Sequence, residues 1–367
     1  MNKFLKYILF TATAFLTVNL IIFPGAGISS AKAAAALCLD TLIPSLFPFF
    51  ICSGLFVALG ASRRCEKLLS PIMRPLFNVP GSGALALTLG LFSGYPVGAK
   101  VTADLYRNGE CTKAEARRLL AFCNNSGPMF VLGAVGAGFL ENQQLGWILY
   151  ISHVTSAILV GLIFRFYRPK AEIFSKKLPP AALHGTSAGA IGRVMSDSVF
   201  TMLNVCGFVV LFSVLAETIP PLGGHLTRPL AHGLLEICGG LGAIARIPAL
   251  SMYAKLPLIA FVMSLSGLSI TLQVWQIISD SHLPVTTYIS GKLLQGIFAG
   301  TLTWTMFLFV PIEAPAFSQA PELPPIPAVT PEQMFINAGI TLFWCAASLG
   351  ALMGLTWAAE KICKRTG

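Results

Sequence analysis

The sequence has few charged residues. Only 11% of its 367 residues are Asp, Glu, Lys or Arg, whereas a soluble globular domain carries about 25%. Hydrophobic residues make up 55%, and the mean hydropathy is +0.74. So few charges cannot cover the surface of a soluble protein of this size. The composition therefore excludes a water-soluble enzyme and predicts a polytopic protein whose partner is the lipid bilayer.

Motifs for catalysis and metal binding are also missing. The nine cysteines are scattered, without a Cys-x-x-Cys pair or a histidine at metal spacing, so we predict no metal site. The sequence contains no nucleophile elbow, Gly-rich phosphate loop or His-Glu-x-x-His motif, so neither an enzyme nor a cofactor is expected. The net charge is +10, but no basic patch is interleaved with aromatic residues, so a nucleic-acid partner is not expected.

Apolar stretches of the length that crosses a bilayer occur throughout the chain. They cover residues 7–23, 42–59, 119–140, 145–164, 199–218, 256–274, 288–310 and 334–357. Two further apolar segments, 81–99 and 231–247, are short and interrupted by Gly or Pro, which predicts re-entrant hairpins. The predicted fold is an all-α polytopic membrane protein with about eight transmembrane helices plus two re-entrant hairpins.

The positions of the basic residues predict the orientation. If both hairpins return to their side of entry, 21 of the 25 Lys and Arg residues lie on one side, with Lys292 among them. Positive residues mark the cytoplasmic side, so both termini are predicted to be cytoplasmic. The residues around Lys3, Lys6 and the Ala-Lys-Ala at 31–33 resemble a signal peptide, but the apolar run between them favours a transmembrane helix.

Short motifs recur in the same order in the two halves. Tyr-Ile-Ser occurs at 150–152 and again at 288–290, and glycine-broken segments occur at 90–98 and 238–242. Each copy contains three full crossings, so the second must lie upside down relative to the first. The sequence therefore predicts an inverted internal repeat, which is typical of secondary transporters.

The predicted domain organisation follows these segments. Residues 1–37 form an N-terminal transmembrane helix and loop, 38–166 the first repeat, 167–186 a basic cytoplasmic linker, 187–310 the second repeat, and 311–367 an outer Pro-rich loop and C-terminal transmembrane helix. The sequence leaves the oligomeric state open.

Candidate substrate-binding residues lie where apolar helices are interrupted. Unpaired backbone groups inside a membrane are tolerated beside a polar cavity, and half-helix N-termini favour anionic groups. The predicted binding residues are Ser93, Gly94, Tyr95, Pro96, Asn124, Asn125, Ser126, Gly127, Gly239, Gly240, Ser264, Ser266 and Gly267. For a residue such as Gly239 or Ser264 taken alone, close helix packing is the more common explanation.

Three charged residues and one histidine complete the candidates. Glu236 lies inside an embedded segment and is interpreted as a coupling residue for H⁺ or Na⁺, or else as a glutamate that reaches water at an outer mouth. Lys100 and Arg246 follow the hairpin tips and are candidates for pairing with an anion, although snorkelling to the interface explains them equally well. His153 is interpreted as a packed side chain.

Three motifs strongly resemble those of YlbJ-type sporulation integral membrane proteins. They are Ile-Pro-Ser-Leu-Phe-Pro-Phe at 43–49, Ser-Gly-Tyr-Pro-Val-Gly-Ala at 93–99 and Phe-Cys-Asn-Asn-Ser-Gly-Pro-Met-Phe at 122–130. That family carries the nucleoside-recognition Gate domain and is distantly similar to concentrative nucleoside transporters. The resemblance implies two Gate-like repeats, a role in spore cortex formation, and transport of dipicolinic acid across the outer forespore membrane.

The sequence therefore predicts a secondary transporter of a small polar or anionic metabolite, with dipicolinate as the substrate implied by the resemblance. A membrane scaffold that recruits cortex-building enzymes is one alternative, although the polar loops are short for that role. A nucleoside transporter is another, but the polar residues at the tips differ from those of nucleoside carriers. An intramembrane enzyme would need a catalytic pair, and none is evident in the sequence.

Overall fold

The computed structural model describes residues 24–59, 61–167, 187–217 and 226–309, together with five residues between 14 and 21. Every regular element in these ranges is a helix. The α-helices are α1 (Pro24–Leu37), α2 (Ile43–Ala58), α3 (Ala61–Phe77), α4 (Gly83–Ser93), α5 (Val97–Arg107), α6 (Lys113–Phe122), α7 (Gln143–Phe164), α8 (Ser187–Glu217), α9 (Thr227–Leu235), α10 (Ile237–Ala245), α11 (Met252–Leu265), α12 (Gly267–Ser279) and α13 (Thr286–Phe309). Two π-helices, Cys38–Leu42 and Met129–Phe139, interrupt the series. The predicted span 334–357, most of the span 7–23 and nearly all of the linker 167–186 lie outside the described residues.

Long apolar helices identify a multi-pass membrane protein. Within the described residues, Gln143–Phe164, Ile191–Glu217 and Met252–Ser279 are long and apolar enough to cross a bilayer. Two further segments, Gly27–Leu42 and Leu46–Phe56, bend by 51° and make a fourth span if they are counted together. The prediction of a polytopic membrane protein is therefore confirmed, while the number of eight crossings stays a prediction.

The outer surface of the long helices is apolar. Trp147 on α7, Phe200 and Leu203 on α8, and Trp304 on α13 are each about half exposed or more. Large exposed apolar side chains on several neighbouring helices are unfavourable in water and suit contact with lipid chains. Several polar side chains of α7 and α13 are instead buried, namely Ser152, His153, Ser156, Lys292, Gln295 and Thr303, which places a polar centre on the inside of the protein.

Two helix pairs have the form of the predicted hairpins. In hairpin A, α4 and α5 pack against each other on either side of a tip at residues 94–96. In hairpin B, α9 and α10 pack against each other and are separated by Glu236 alone. An arm of 11 residues is about 16 Å long, which is half the thickness of a bilayer core.

Two further helices are interrupted, and the interruptions differ in kind. Broken helix A consists of α6 and the second π-helix, separated by the irregular segment 123–128 that ends at a proline. Broken helix B consists of α11 and α12, which meet at Ser266 and Gly267 with φ angles of 70° and 64°. This left-handed pair interrupts the hydrogen-bond ladder between α11 and α12 within the span Met252–Ser279.

The same order of elements occurs in both halves of the chain. An apolar helix, a hairpin, a broken helix and a final long helix correspond to α2 through α7 in the first half and to α8 through α13 in the second. The amphipathic helix α3 is an addition to the first half that was not among the predicted elements. The halves also pack together, because α13 contacts α6 and α7 while α8 contacts α2.

Hairpin A and broken helix A approach each other at glycines. A side-chain carbon at Gly90 or at Gly98 would collide with the carbonyl oxygen of Cys123, the first residue of the interruption. Both arms of the hairpin therefore rest directly on the backbone of the broken helix. Only glycine permits this contact, which explains the glycine spacing of the segment.

The helix α3 is attached to the start of hairpin A through Glu66. Its carboxylate accepts hydrogen bonds from the backbone N–H of Ser82 at 3.0 Å and from the guanidinium of Arg74 at 3.3 Å. Partial burial opposes ionisation of Glu66, but these hydrogen bonds outweigh it and lower the pKa of the carboxyl group below its ordinary value. A charged group thus fixes the amphipathic helix beside the hairpin.

Candidate functional site

Three cavities follow one another along α8. The first borders Arg193 and Thr201, the second Val209, and the third Ser213 and Glu217. An α-helix rises 1.5 Å per residue, so Arg193 and Glu217 lie about 36 Å apart, slightly more than the thickness of a bilayer core. We call the cavities the Arg193 vestibule, the central cavity and the Arg246 vestibule, with volumes of about 480, 60 and 810 Å³.

The central cavity lies between the tips of the two hairpins. Gly94 and Tyr95 border it from hairpin A, and Cys238 from hairpin B. Gln273 also borders the Arg193 vestibule, while Glu236 and Cys238 also border the Arg246 vestibule. Val205 of α8 also borders both the Arg193 vestibule and the central cavity, so neighbouring cavities are separated by a few side chains of α8, α12 and hairpin B.

Three buried hydrogen-bonding groups without partners lie at this centre or directly behind it. The hydroxyls of Ser93 and Ser126, which border the central cavity, and the amide nitrogen of Asn124 have no hydrogen-bond partner among the described residues. All three side chains are at least 97% buried. Buried polar groups are normally satisfied, so these atoms are suited to bind a ligand.

The two asparagines of broken helix A hold its interruption in place. Asn124 Oδ1 accepts a hydrogen bond from the backbone N–H of Ala99 at 3.3 Å, which ties the interruption to the first turn of α5. Asn125 Nδ2 donates to the carbonyl of Phe122 at 2.7 Å, and its Oδ1 accepts from Gln295 Nε2 at 2.9 Å. Asn125 thereby connects the interruption to α13.

His153 connects the two broken helices. Its Nε2 accepts a hydrogen bond from the backbone N–H of Ser126 at 3.0 Å, and its Nδ1 lies 2.8 Å from the hydroxyl of Ser264. Because Nε2 accepts a backbone N–H, we assign the ring proton to Nδ1, which donates it to Ser264. The imidazole is thus held neutral, with both nitrogens occupied.

Lys292 is buried in the same region. Its side chain is 1% exposed, and its amine lies 2.5 Å from Gln295 Oε1, 3.4 Å from Asn125 Oδ1 and 3.5 Å from the hydroxyl of Tyr95. The rings of Tyr95 and Tyr288 lie 5.2 and 5.9 Å from it. The predicted span 288–310 already contained Lys292, and α13, which begins at Thr286, confirms that the lysine lies on a helix, whereas its assignment to the cytoplasmic side stays a prediction.

Broken helix B is linked to α13 at its interruption. The hydroxyls of Ser266 and Tyr288 lie 2.7 Å apart, and both side chains are buried. Gly267 packs against the carbonyl of Gly233 in hairpin B. The interruption of the second half is therefore filled by protein groups, whereas that of the first half retains unpartnered ones.

The carboxylate of Glu236 caps helix α10. Its two oxygens accept hydrogen bonds from the backbone N–H groups of Cys238 at 2.9 Å and Gly239 at 2.7 Å. The positive N-terminal end of α10, which was predicted to attract an anionic substrate, is therefore already paired with a carboxylate. This geometry explains why a buried acid is present at the tip of hairpin B.

The predicted binding residues separate into groups. Ser93, Gly94, Tyr95, Ser126 and Gly127 line the central cavity. Five of the predicted binding residues and both predicted cations lie elsewhere, namely Asn124 and Asn125 in the network behind the cavity, Gly239, Gly240 and Arg246 in the Arg246 vestibule, and Pro96 and Lys100 in the Arg193 vestibule. The amine of Lys100 donates to Thr201 of α8 at 3.3 Å.

Sequence reasoning missed several polar residues of the site. Gln273 and Ser269 on α12 border the central cavity, and Gln295 joins Lys292 to Asn125. One signal was available for Gln295, because it lies three residues after Lys292 on what the sequence presented as a membrane helix. Two buried polar side chains one turn apart indicate a shared polar interior.

The fold defines a multi-pass helical membrane protein with a cavity between two hairpins. The family model described as "Gate: Nucleoside recognition" matches residues 39–143. The sporulation integral membrane protein YlbJ of Bacillus subtilis (strain 168) is 34% identical over 334 residues, covering 81% of each chain. The chain belongs to the YlbJ family. The uncharacterized protein YjiH of Escherichia coli (strain K12) is 28% identical over 144 residues, or 39% of this chain and 60% of that one. No solved structure matches the chain.

Proposed function

We propose that the protein is a secondary transporter that moves a small anionic metabolite along α8 from one vestibule to the other. The observation that carries the proposal is the row of three cavities, of which the central one is enclosed by the tips of both hairpins. A carrier needs a central site that two alternative movements can open to opposite sides. Hairpin A and hairpin B are the elements whose displacement would open it.

Buried positive charge supports an anionic substrate. Lys292 contacts the hydroxyl of Tyr95, which lines the central cavity, and has no carboxylate partner among the described residues. The carboxylate of Glu236 is already held by backbone N–H groups. A carboxylate substrate in the cavity would balance the lysine and accept hydrogen bonds from Ser93 and Ser126.

The name of the family refers to sporulation, and for a transporter of anions in that process we propose dipicolinate as the substrate. It presents two carboxylates on a small ring, which fits a site with hydroxyl donors and a nearby cation. We propose that transport takes place in the outer forespore membrane and supplies the developing spore during cortex formation. The substrate leaves chemically unchanged, so this role involves no catalysis.

The membrane topology belongs to the same proposal. The halves repeat one order of elements, and the Ser-Gly pairs at 126–127 and 266–267 both lie at helix interruptions. Eight crossings, an inverted second half and cytoplasmic termini would place the Arg193 vestibule on the cytoplasmic side. Movement of one repeat against the other would then expose the central cavity to each side in turn.

Transport in proteoliposomes tests the proposal. Liposomes with the purified full chain are loaded with unlabelled dipicolinate, and entry of labelled dipicolinate by exchange is followed at several pH values, with and without sodium. The proposal predicts exchange above that of empty liposomes and no exchange of labelled nucleosides. Efficient nucleoside exchange would support the alternative of a nucleoside transporter, and the absence of any exchange would favour a scaffold.

A further inference from the structure

The surroundings of Lys292 consist of neutral groups. The elements packed around its amine offer Cys123 from the interruption of broken helix A, His153 from α7, Tyr95 from the tip of hairpin A and Tyr288 from α13 itself. No carboxylate is among them. Two other lysines lie on helices packed against α13: Lys113 stands at the first position of α6, and Lys255 of α11 turns its amine to the carbonyl of Ala245.

A protonated lysine is unfavourable in these surroundings when the cavity holds no anion. A fully buried charge without a counter-ion loses its hydration and regains only hydrogen bonds to neutral oxygens. An anion in the central cavity changes this balance, because its charge acts across the side chain of Tyr95. The charged form of Lys292 and the bound anion therefore stabilise each other.

The hydrogen-bond network accommodates both forms of the amine. A protonated amine donates to Gln295, Asn125 and the hydroxyl of Tyr95, which lies within 3.5 Å. A neutral amine still donates to Gln295 and Asn125 and accepts a hydrogen bond from Tyr95, because a phenol is both donor and acceptor. Neither the protonated nor the neutral amine is left unpaired, so the hydrogen bonds of the site are compatible with both forms.

We propose that Lys292 is the proton-coupling residue and that each carboxylate substrate is carried together with one proton on its amine. This inference rests on the proposed transport function and adds the coupling ion and the residue that binds it. By linkage, the anion raises the affinity of Lys292 for a proton, and the proton raises the affinity of the cavity for the anion by the same factor.

The hydroxyl of Tyr95 provides the connection to the cavity. Tyr95 borders the central cavity and at the same time contacts the amine of Lys292. On the side of uptake, hydronium supplies a proton to the phenol oxygen while the phenol passes its own proton to the amine, which forms a new N–H bond. On the side of release, the N–H bond breaks as the anion leaves. The proton then returns to water through the phenol of Tyr95.

His153 is not suited to carry this proton. Its Nε2 accepts the backbone N–H of Ser126, and its Nδ1 donates to Ser264, so a second proton would break the first of these hydrogen bonds. Glu236 is likewise engaged, since both carboxylate oxygens cap α10. Lys292 is the titratable group among these three whose surroundings accept a change of charge.

Simultaneous measurement of anion and proton movement tests the inference. Proteoliposomes with the full chain contain a pH-sensitive dye and are held at zero membrane potential with potassium and valinomycin. Labelled dipicolinate is then added outside. We expect its entry to acidify the lumen and to be accelerated about fivefold or more when the outside is one pH unit more acidic.

Two substitutions at Lys292 separate charge from proton exchange. Lys292→Met removes the charge, so dipicolinate binding should weaken at least tenfold and lose its pH dependence. Lys292→Arg keeps a permanent charge, so the dipicolinate exchange that remains should proceed without acidification. Lys255→Met is the matched control, because it removes another largely buried lysine amine that is bonded to a carbonyl at 2.8 Å and should preserve both signals. Thermal unfolding of each purified variant checks that it is folded.

The outcomes distinguish this inference from the proposed function. If the unmodified protein exchanges dipicolinate but moves no protons, transport stands and the coupling by Lys292 is overturned. If Lys292→Arg still moves protons with dipicolinate, another residue carries the proton and the inference is wrong. If the unmodified protein exchanges no dipicolinate, the proposed function fails and the coupling fails with it.

Discussion

The imidazole of His153 lies 2.8 Å from the hydroxyl of Ser264, which is 111 residues further along the chain. Through its other nitrogen the same ring accepts the backbone N–H of Ser126 in the interruption of broken helix A. One side chain on α7 thereby holds the two broken helices in a fixed relation. A rigid unit of this kind gives the hairpins a frame against which they can move.

Replacing His153 by leucine should destabilise the protein. The change leaves the backbone N–H of Ser126 and the hydroxyl of Ser264 buried without partners, and each unsatisfied group costs about 1–3 kcal/mol. We expect a lower midpoint of thermal unfolding in detergent and loss of dipicolinate exchange. Ser264→Ala leaves only one group unpaired, so its unfolding midpoint should lie between those of the His153→Leu variant and the unmodified protein. A His153→Leu variant as stable as the unmodified protein would show that this connection does not hold the helices together.

Substitution of Gly98 by alanine should disturb the docking of hairpin A. The added carbon would collide with the carbonyl oxygen of Cys123, which belongs to the backbone and cannot rotate away. We expect reduced yield of folded protein and a lower unfolding midpoint. Gly207→Ala on α8 is the control, because a carbon there meets no atom within 4 Å and the change favours the helix by up to about 1 kcal/mol. Equal stability of both variants would contradict the close contact.

Substitutions at Glu236 should separate capping from coupling. Glu236→Ala removes both hydrogen bonds to the start of α10 and should cost about 1–2 kcal/mol, measured as a lower unfolding midpoint. Glu236→Gln keeps an oxygen that can accept one of these bonds, so it should retain transport with the same proton movement. A Glu236→Gln protein that exchanges dipicolinate without moving protons would show that Glu236 is the coupling residue, as the sequence first suggested.

The interruptions were predictable because their causes are local. Gly and Pro at residues 94–98 and at 127–128 end apolar helices by their own backbone geometry, and no distant contact is needed to recognise them. The two hairpins were predicted because their apolar segments are too short to cross the bilayer. The regions that bring the site together could therefore be located from the sequence alone.

The partners of the buried polar residues could not be predicted in the same way. Lys292 meets Asn125 across 167 residues, and Gln295 meets His153 across 142, so neither contact leaves a local pattern. Charge counting assigned Lys292 to the cytoplasmic end of its predicted span, where a lysine usually reaches water. Its place in the interior follows from the packing of α13 against α6 and α7.

The accessibility of two positions on α8 tests whether the three cavities form a path across the membrane. Thr201→Cys places a thiol in the Arg193 vestibule, and Ser213→Cys places one in the Arg246 vestibule, three turns further along the helix. Each variant is treated with a membrane-impermeant maleimide in vesicles of defined orientation, with the unsubstituted protein as background and the lipid-exposed position of Leu203→Cys as control. The account predicts that the two thiols react from opposite sides of the membrane and that Leu203→Cys reacts from neither. Reaction of both thiols from the same side would contradict a path across the membrane along α8.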